Sequence, residues 1–85
     1  MKSFQYVIKD ELGLHARPAG LLAKEARSHV SEITVTKDGN TVNCTRLMAM
    51  MSMCIKKGDT VTVTVNGEDE DTAFDSIKNF FETNL

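Results

Sequence analysis

Alternating apolar and polar residues mark three strands in this chain, and helical spacing marks three further stretches. In Lys2-Ser3-Phe4-Gln5-Tyr6-Val7-Ile8-Lys9, residues Phe4, Tyr6 and Ile8 share one face of a half-buried strand. Asp10 and Glu11 end that pattern. From Ala16 to Ser28 the spacing turns helical: Ala19, Leu22, Ala23 and Ala26 form a narrow apolar stripe, with Lys24, Glu25 and Arg27 outside it. Pro18, the only proline, has a fixed φ and no N–H, so it belongs in the first turn of this helix. Gly20 weakens the helix by about 1 kcal/mol relative to Ala. The small Ala and Gly residues are expected to let the helix approach a sheet closely.

Glu32-Ile33-Thr34-Val35-Thr36 is β-branched and alternating, a second strand. Asp38-Gly39 readily adopts positive φ and predicts a tight hairpin turn. Asn40 to Cys44 is the return strand, with Val42 and Cys44 on one side. A helix is expected over 45–55, where four of the five Met residues lie. One side of it packs on the sheet, and the other, drawn from Leu47, Met48 and Met51, forms an exposed docking patch of adaptable side chains. Lys56-Lys57-Gly58-Asp59 is a turn, and Thr60-Val61-Thr62-Val63-Thr64-Val65 is a strand with Val inward and Thr outward. A last helix starts near Asp69, with Asp69, Glu70 and Asp71 favourable at its amino end. Ala73 or Phe74, Ile77, and Phe80 or Phe81 cover the sheet. The order βαββαβα predicts an α/β (α+β) two-layer open-faced sandwich in one domain, 1–85, with a four-stranded, mainly antiparallel sheet and three helices on one face.

Composition narrows the function. The 85 residues are 41% hydrophobic and 26% charged, as in an ordinary soluble globular protein. No apolar run approaches the ~20 residues of a membrane helix, and the amino terminus carries no signal-peptide apolar block. A cytoplasmic protein without membrane insertion is expected. A net charge of −2 argues against nucleic acid. Cys44 and Cys54 have no CxxC spacing and read as reduced, buried or half-buried thiols, with no metal site. His29 reads as a residue of the first helix's carboxyl end, favourable for its dipole.

The stretch Leu12-Gly13-Leu14-His15-Ala16-Arg17-Pro18-Ala19-Gly20 carries the chemistry. His15 and Arg17 lie at or just before a helix amino end, where free N–H groups favour an anion. The N–H groups of Ala16 and Arg17 are candidate donors, and the Arg17 guanidinium is a planar fork for phosphate oxygens. Further metal ligands are missing, and no Ser or Cys motif supports a hydrolytic triad. An exposed imidazole as phosphoryl acceptor requires neither. Residue types alone leave open a plainer reading, in which His15 caps a helix beside a surface Arg.

Gly13-Leu14-His15-Ala16-Arg17-Pro18-Ala19 resembles the active-site signature of the HPr family, the histidine-containing phosphocarriers of the bacterial sugar phosphotransferase system. The element order, the hairpin region Lys37–Asn40 and the Leu47-Met48…Met51-Ser52 helix fall in the same register, so the resemblance spans essentially the whole chain. It implies a monomeric carrier without cofactors, in place of a free-standing enzyme. Such a carrier takes a phosphoryl group on His Nδ1 from phosphorylated Enzyme I and passes it to EIIA domains of sugar permeases. His15 corresponds to the phosphorylated residue, Arg17 to the phosphate-stabilising one, and Leu47, Met48 and Met51 to the docking helix. Two departures stand out. Arg46 occupies the position of the regulatory serine of many members, and neither Thr45 nor Ser52 takes that place. Cys54 stands where a Gly usually ends the helix, which predicts a strained or reshaped turn. The missing serine also suits an alternative: a specialised paralogue (nitrogen-related or of a single operon) or a regulatory docking protein of the same fold.

Overall fold

Val61, Val63 and Val65 are all buried while the intervening threonines face the other way. A strand with such a face needs partners on both edges to satisfy its backbone. It has them. The computed structural model describes residues 1–85, with β1 at Lys2–Val7, α1 at Ala16–Arg27, β2 at Glu32–Lys37, β3 at Asn40–Asn43, α2 at Leu47–Ser52, β4 at Thr60–Asn66 and α3 at Glu70–Asn84. The strands run in the order β1-β4-β2-β3, and every neighbouring pair is antiparallel.

Register puts the apolar residues on one face. Phe4 pairs with Val63, Tyr6 with Val61, Val35 with Val63 and Ile33 with Val65. Leu22, Ala23 and Ala26 of α1, Met50 of α2, and Ala73, Ile77 and Phe81 of α3 bury against that face in a single core cluster. Phe4 and Tyr6 meet the Phe81 ring edge-on, each at 5.6 Å between centroids. Aromatic pairs of this geometry contribute about 0.5–1.5 kcal/mol beyond burial, so they pin α3 across the edge strand. Asp38 and Gly39 both have positive φ, 51° and 81°, which closes the two-residue turn between Lys37 and Asn40. The expected architecture and element order are those observed.

Local differences have local causes. β1 ends at Val7, and Ile8 leaves the ladder to donate its N–H to Asp59 O at 2.9 Å and accept from Gly58 N at 2.8 Å. The second helix occupies only 47–52 of the 45–55 expected. The Asn43 side chain accepts from both Thr45 N and Thr45 Oγ1, a turn that delays the helix start. Cys54, at φ 53°, terminates the segment in the left-handed region. For a residue with a Cβ that conformation costs roughly 1–2 kcal/mol, which bears out the expected strain. Gly20 does not serve close packing: a Cβ placed there has nothing within 4 Å. The alanines alone bring α1 close.

The largest departure concerns His29 and Asp69. His29 lies past the end of α1, with Nε2 3.0 Å from Glu25 Oε2 and Nδ1 3.5 Å from Asp69 Oδ2. Asp69 precedes α3 but makes no side-chain cap there. Its carboxylate instead accepts from Val30 N at 3.0 Å, from Ser31 N at 2.8 Å and from the Ser31 hydroxyl. Ser76 Oγ donates to Glu25 Oε2 at 2.7 Å. The knot ties the end of α1 to α3, a tertiary role added to the expected placement of His29 at the carboxyl end of α1. Hydrogen bonds from Ser31 Oγ and then Val30 N lower the Asp69 pKa from 3.8 to about 2.

Two outcomes follow from this packing. Gly20→Ala is expected to stabilise the protein by about 0.5–1 kcal/mol, because Ala fits the space and the helical φ. Its melting temperature should rise by several degrees in differential scanning calorimetry. Asp69 has a lower pKa folded than unfolded, so its stabilisation is complete above its ordinary 3.8 and is lost as pH falls toward about 2. Urea midpoints measured from pH 5 to pH 2 should fall less steeply for Asp69→Asn than for the parent chain. Equal slopes would show that the knot does not couple to acid unfolding.

Candidate functional site

The loop from Asp10 to His15 is shaped almost entirely by main-chain hydrogen bonds. Asp10 Oδ2 accepts from Leu12 N at 3.0 Å, and Asp10 O from Gly13 N at 3.0 Å. Leu14 N donates to Ile55 O at 3.0 Å, while Lys9 N and Asp10 N both donate to Leu85 O. Gly13 is required at its position. It has φ 65°, and a Cβ there would lie 2.3 Å from Ile55 O and 2.8 Å from Lys56 Cα. Buried Leu14 anchors the next residue, so the backbone delivers His15 to one place.

His15 is the residue immediately before the first turn of α1, with φ −88° and ψ −175°. It holds the N-cap position of α1, as the plainer reading expects, but its ring makes no capping hydrogen bond. The imidazole is 37% exposed, and its Nε2 lies 3.7 Å from Asp10 Oδ2. Ala16 and Arg17 occupy the first two helical positions, Pro18 the third. The N–H groups of Ala16 and Arg17 have no acceptor within the protein, and Pro18 has no N–H to offer. The Arg17 side chain is exposed and enters no ion pair.

These groups surround an open recess of about 250 Å³ lined by Asp10, His15, Arg17, Pro18, Leu21 and Asn84. An imidazole nitrogen, a guanidinium and two unpaired N–H groups meet at a helix amino end. That set suits a tetrahedral dianion bonded to the ring better than a neutral ligand.

The structure brings together His15, Ala16 and Arg17 as expected, and it adds three residues that sequence reading missed. Asp10 looked only like the end of a strand pattern. Leu21 lies one helical turn after Arg17, a spacing that was available as a signal. Asn84 comes from the far end of the chain, and no local pattern announces it. Of the expected docking residues, Met48 is 75% and Met51 36% exposed, whereas Leu47 is half-buried against the core. α2 packs beside α1, and Leu12 and Leu21 add exposed apolar surface. Arg46 precedes α2, exposed and unpaired.

The two thiols differ. Cys44 is buried, and burial pushes its pKa up to about 12, which makes it inert. Cys54 is exposed, contrary to the expectation that both are at least half-buried. No helix is long and apolar enough to cross a membrane.

Comparison with known proteins agrees with this geometry. The family described as "PTS HPr component phosphorylation site" matches residues 2–83. Phosphocarrier protein HPr of Mycoplasma genitalium is 42% identical over 85 residues, which cover 99% of this chain and 97% of that protein. A crystal structure of an HPr from Thermoanaerobacter tengcongensis superposes with a TM-score of 0.92 at 36% identity, covering 98% of this chain and 93% of that one. Crh of Bacillus subtilis, described as a swapped, intertwined dimer, superposes with a TM-score of 0.78 at 32% identity, covering 100% of this chain and 98% of that one.

Proposed function

This chain belongs to the HPr family of phosphotransferase-system phosphocarriers, and we propose that it carries a phosphoryl group on His15 from phosphorylated Enzyme I to EIIA domains during phosphoenolpyruvate-dependent sugar uptake. The observation that supports this most directly is the convergence of an uncapped, half-exposed His15 ring with two unpaired N–H groups and the unpaired Arg17 guanidinium. In the transfer, the Nδ1 lone pair forms a bond to phosphorus as the donor's bond to phosphorus breaks, and that bond's electron pair stays with the donor. Arg17 and the N–H groups of Ala16 and Arg17 face the phosphoryl oxygens and offset their charge. Donation to an EIIA domain is the same step with His15 as leaving group. Leu47, Met48 and Met51 form the docking surface beside the site, with Leu47 also supporting the helix from below. We read 1–85 as one cytoplasmic domain whose single phosphorylation site is His15, since Arg46 offers no hydroxyl.

The relationship to Crh supports a second reading, a regulatory docking protein or specialised paralogue of the same fold. HPr-like regulators that lack the active histidine exist, and His15 is present here. Transfer from the phosphorylated chain to a panel of EIIA domains distinguishes a general carrier, which serves several, from a specialised one, which serves one.

With phosphoenolpyruvate and Enzyme I, the chain should gain one acid-labile, base-stable phosphate, and His15→Ala should gain none. Stoichiometric labelling of His15→Ala would refute the assignment. Arg17→Ala should slow transfer by at least about tenfold while changing stability by less than about 0.5 kcal/mol, because an exposed, unpaired Arg contributes little to folding. Sedimentation equilibrium should return the 9.4 kDa of a monomer; twice that mass would align this chain with the swapped Crh dimer.

A further inference from the structure

We propose that Asp10 is a positioning residue for His15: its carboxylate holds the imidazole proton at Nε2 and so leaves Nδ1 as the nucleophilic nitrogen. The inference rests on the carrier reading for its consequence, and on the unphosphorylated structure for its geometry.

A neutral imidazole has one protonated and one bare nitrogen, and only the bare one attacks phosphorus. Which nitrogen is bare is decided by the hydrogen-bond partner of the other. At His15 the one carboxylate neighbour of a ring nitrogen is Asp10, whose Oδ2 lies 3.7 Å from Nε2, just beyond hydrogen-bond distance. A closure of about 0.7 Å, within reach of a rotation of the half-exposed ring in the unphosphorylated protein, makes this a hydrogen bond.

Asp10 is built into place. Its Oδ2 accepts the Leu12 N–H at 3.0 Å, its carbonyl accepts the Gly13 N–H at 3.0 Å, and its own N–H donates to Leu85 O at 2.8 Å. These bonds hold both backbone and carboxylate, so the oxygen does not have to be recruited from a mobile side chain. No second carboxylate side chain lines the recess. Neighbouring Glu11 is engaged by Lys57 Nζ at 2.7 Å. α3 contributes only neutral Asn84 to the recess, and the one other charge lining it is Arg17. The division of labour is therefore spatial, with Asp10 facing Nε2 and the cationic Arg17 left for the phosphoryl group.

Electron bookkeeping gives Asp10 a second effect. When the Nδ1 lone pair becomes the N–P bond and the donor departs with its own pair, the ring keeps its Nε2 proton and acquires a positive charge. A fixed carboxylate stabilises that charge. When the phosphoryl group leaves for the acceptor, the N–P pair returns to Nδ1 and the ring is neutral again, with its proton never having left Nε2. Asp10 thus favours the same tautomer before and after each cycle.

Nitrogen-15 NMR of His15 in the unphosphorylated protein tests the contact directly. The parent chain should show protonated Nε2 and bare Nδ1. Asp10→Ala should show a mixture of tautomers. Asp10→Asn keeps an acceptor oxygen for Leu12 N–H and Nε2 without the charge, so it should retain the tautomer. Transfer from phosphorylated Enzyme I should slow by about two- to fivefold in Asp10→Asn, the scale of one lost exposed charge pair, and further in Asp10→Ala. A parent ring protonated at Nδ1, or an Asp10→Ala ring and rate equal to the parent, would overturn the proposal. Failure of the parent chain to accept phosphate would sink the carrier reading, and the tautomer measurement would still decide the role of Asp10.

Discussion

The site depends on a close backbone crossing between the loop that follows β1 and the segment that follows α2. Leu14 N reaches Ile55 O at 3.0 Å, and Gly13 lies so near that a single added carbon would collide with that same oxygen. Left-handed φ and absence of a side chain are required together at this point. From it the rest of the site follows. The chain turns once more at His15 and enters α1, whose first two N–H groups are left without an acceptor in the protein. Lys9 and Asp10 donate to Leu85 O, so the end of α3 closes the other side. Segments remote in sequence determine where one imidazole stands.

Stability and exposure are distributed unevenly around this crossing. The sheet and the aromatic contacts between β1 and α3 form a conventional core, and the Glu25–His29–Asp69 knot locks the opposite end of α1. Around α2 the choices are less favourable for folding. The helix has no acidic residue in its first turn, Arg46 precedes it without capping it, and Cys54 ends it in a conformation better suited to glycine. Met48 and Met51 remain in solvent. A short helix held by buried Met50, half-buried Leu47 and two flanking turns leaves adaptable side chains exposed at the cost of local stability.

Much of this was legible along the chain because it is periodic or stereochemically forced. Val61, Val63 and Val65 announce a central strand, Asp38-Gly39 a tight hairpin, and Pro18 the first turn of α1. His15 and Arg17 were readable because proline fixes where the helix begins and thus where its free N–H groups lie. Helix ends governed by side chains were less legible: the Asn43 turn and Cys54 cut α2 short, against good helix propensity across 45–55. Exposure was misjudged where small residues were taken as packing residues, as at Gly20, which faces open space.

By itself, then, the sequence determined the order βαββαβα, the strand faces and a histidine at a helix amino end. Each of these follows from local sterics or from a period that repeats within a few residues. Only the tertiary structure decided that Asp10 and Asn84 share a recess with His15, that Asp69 binds Val30 and Ser31 and leaves its own helix uncapped, and that Leu47 is half core while Met48 is wholly surface. Those outcomes depend on contacts between residues many positions apart, and no local pattern encodes the distance at which two segments of a chain finally meet.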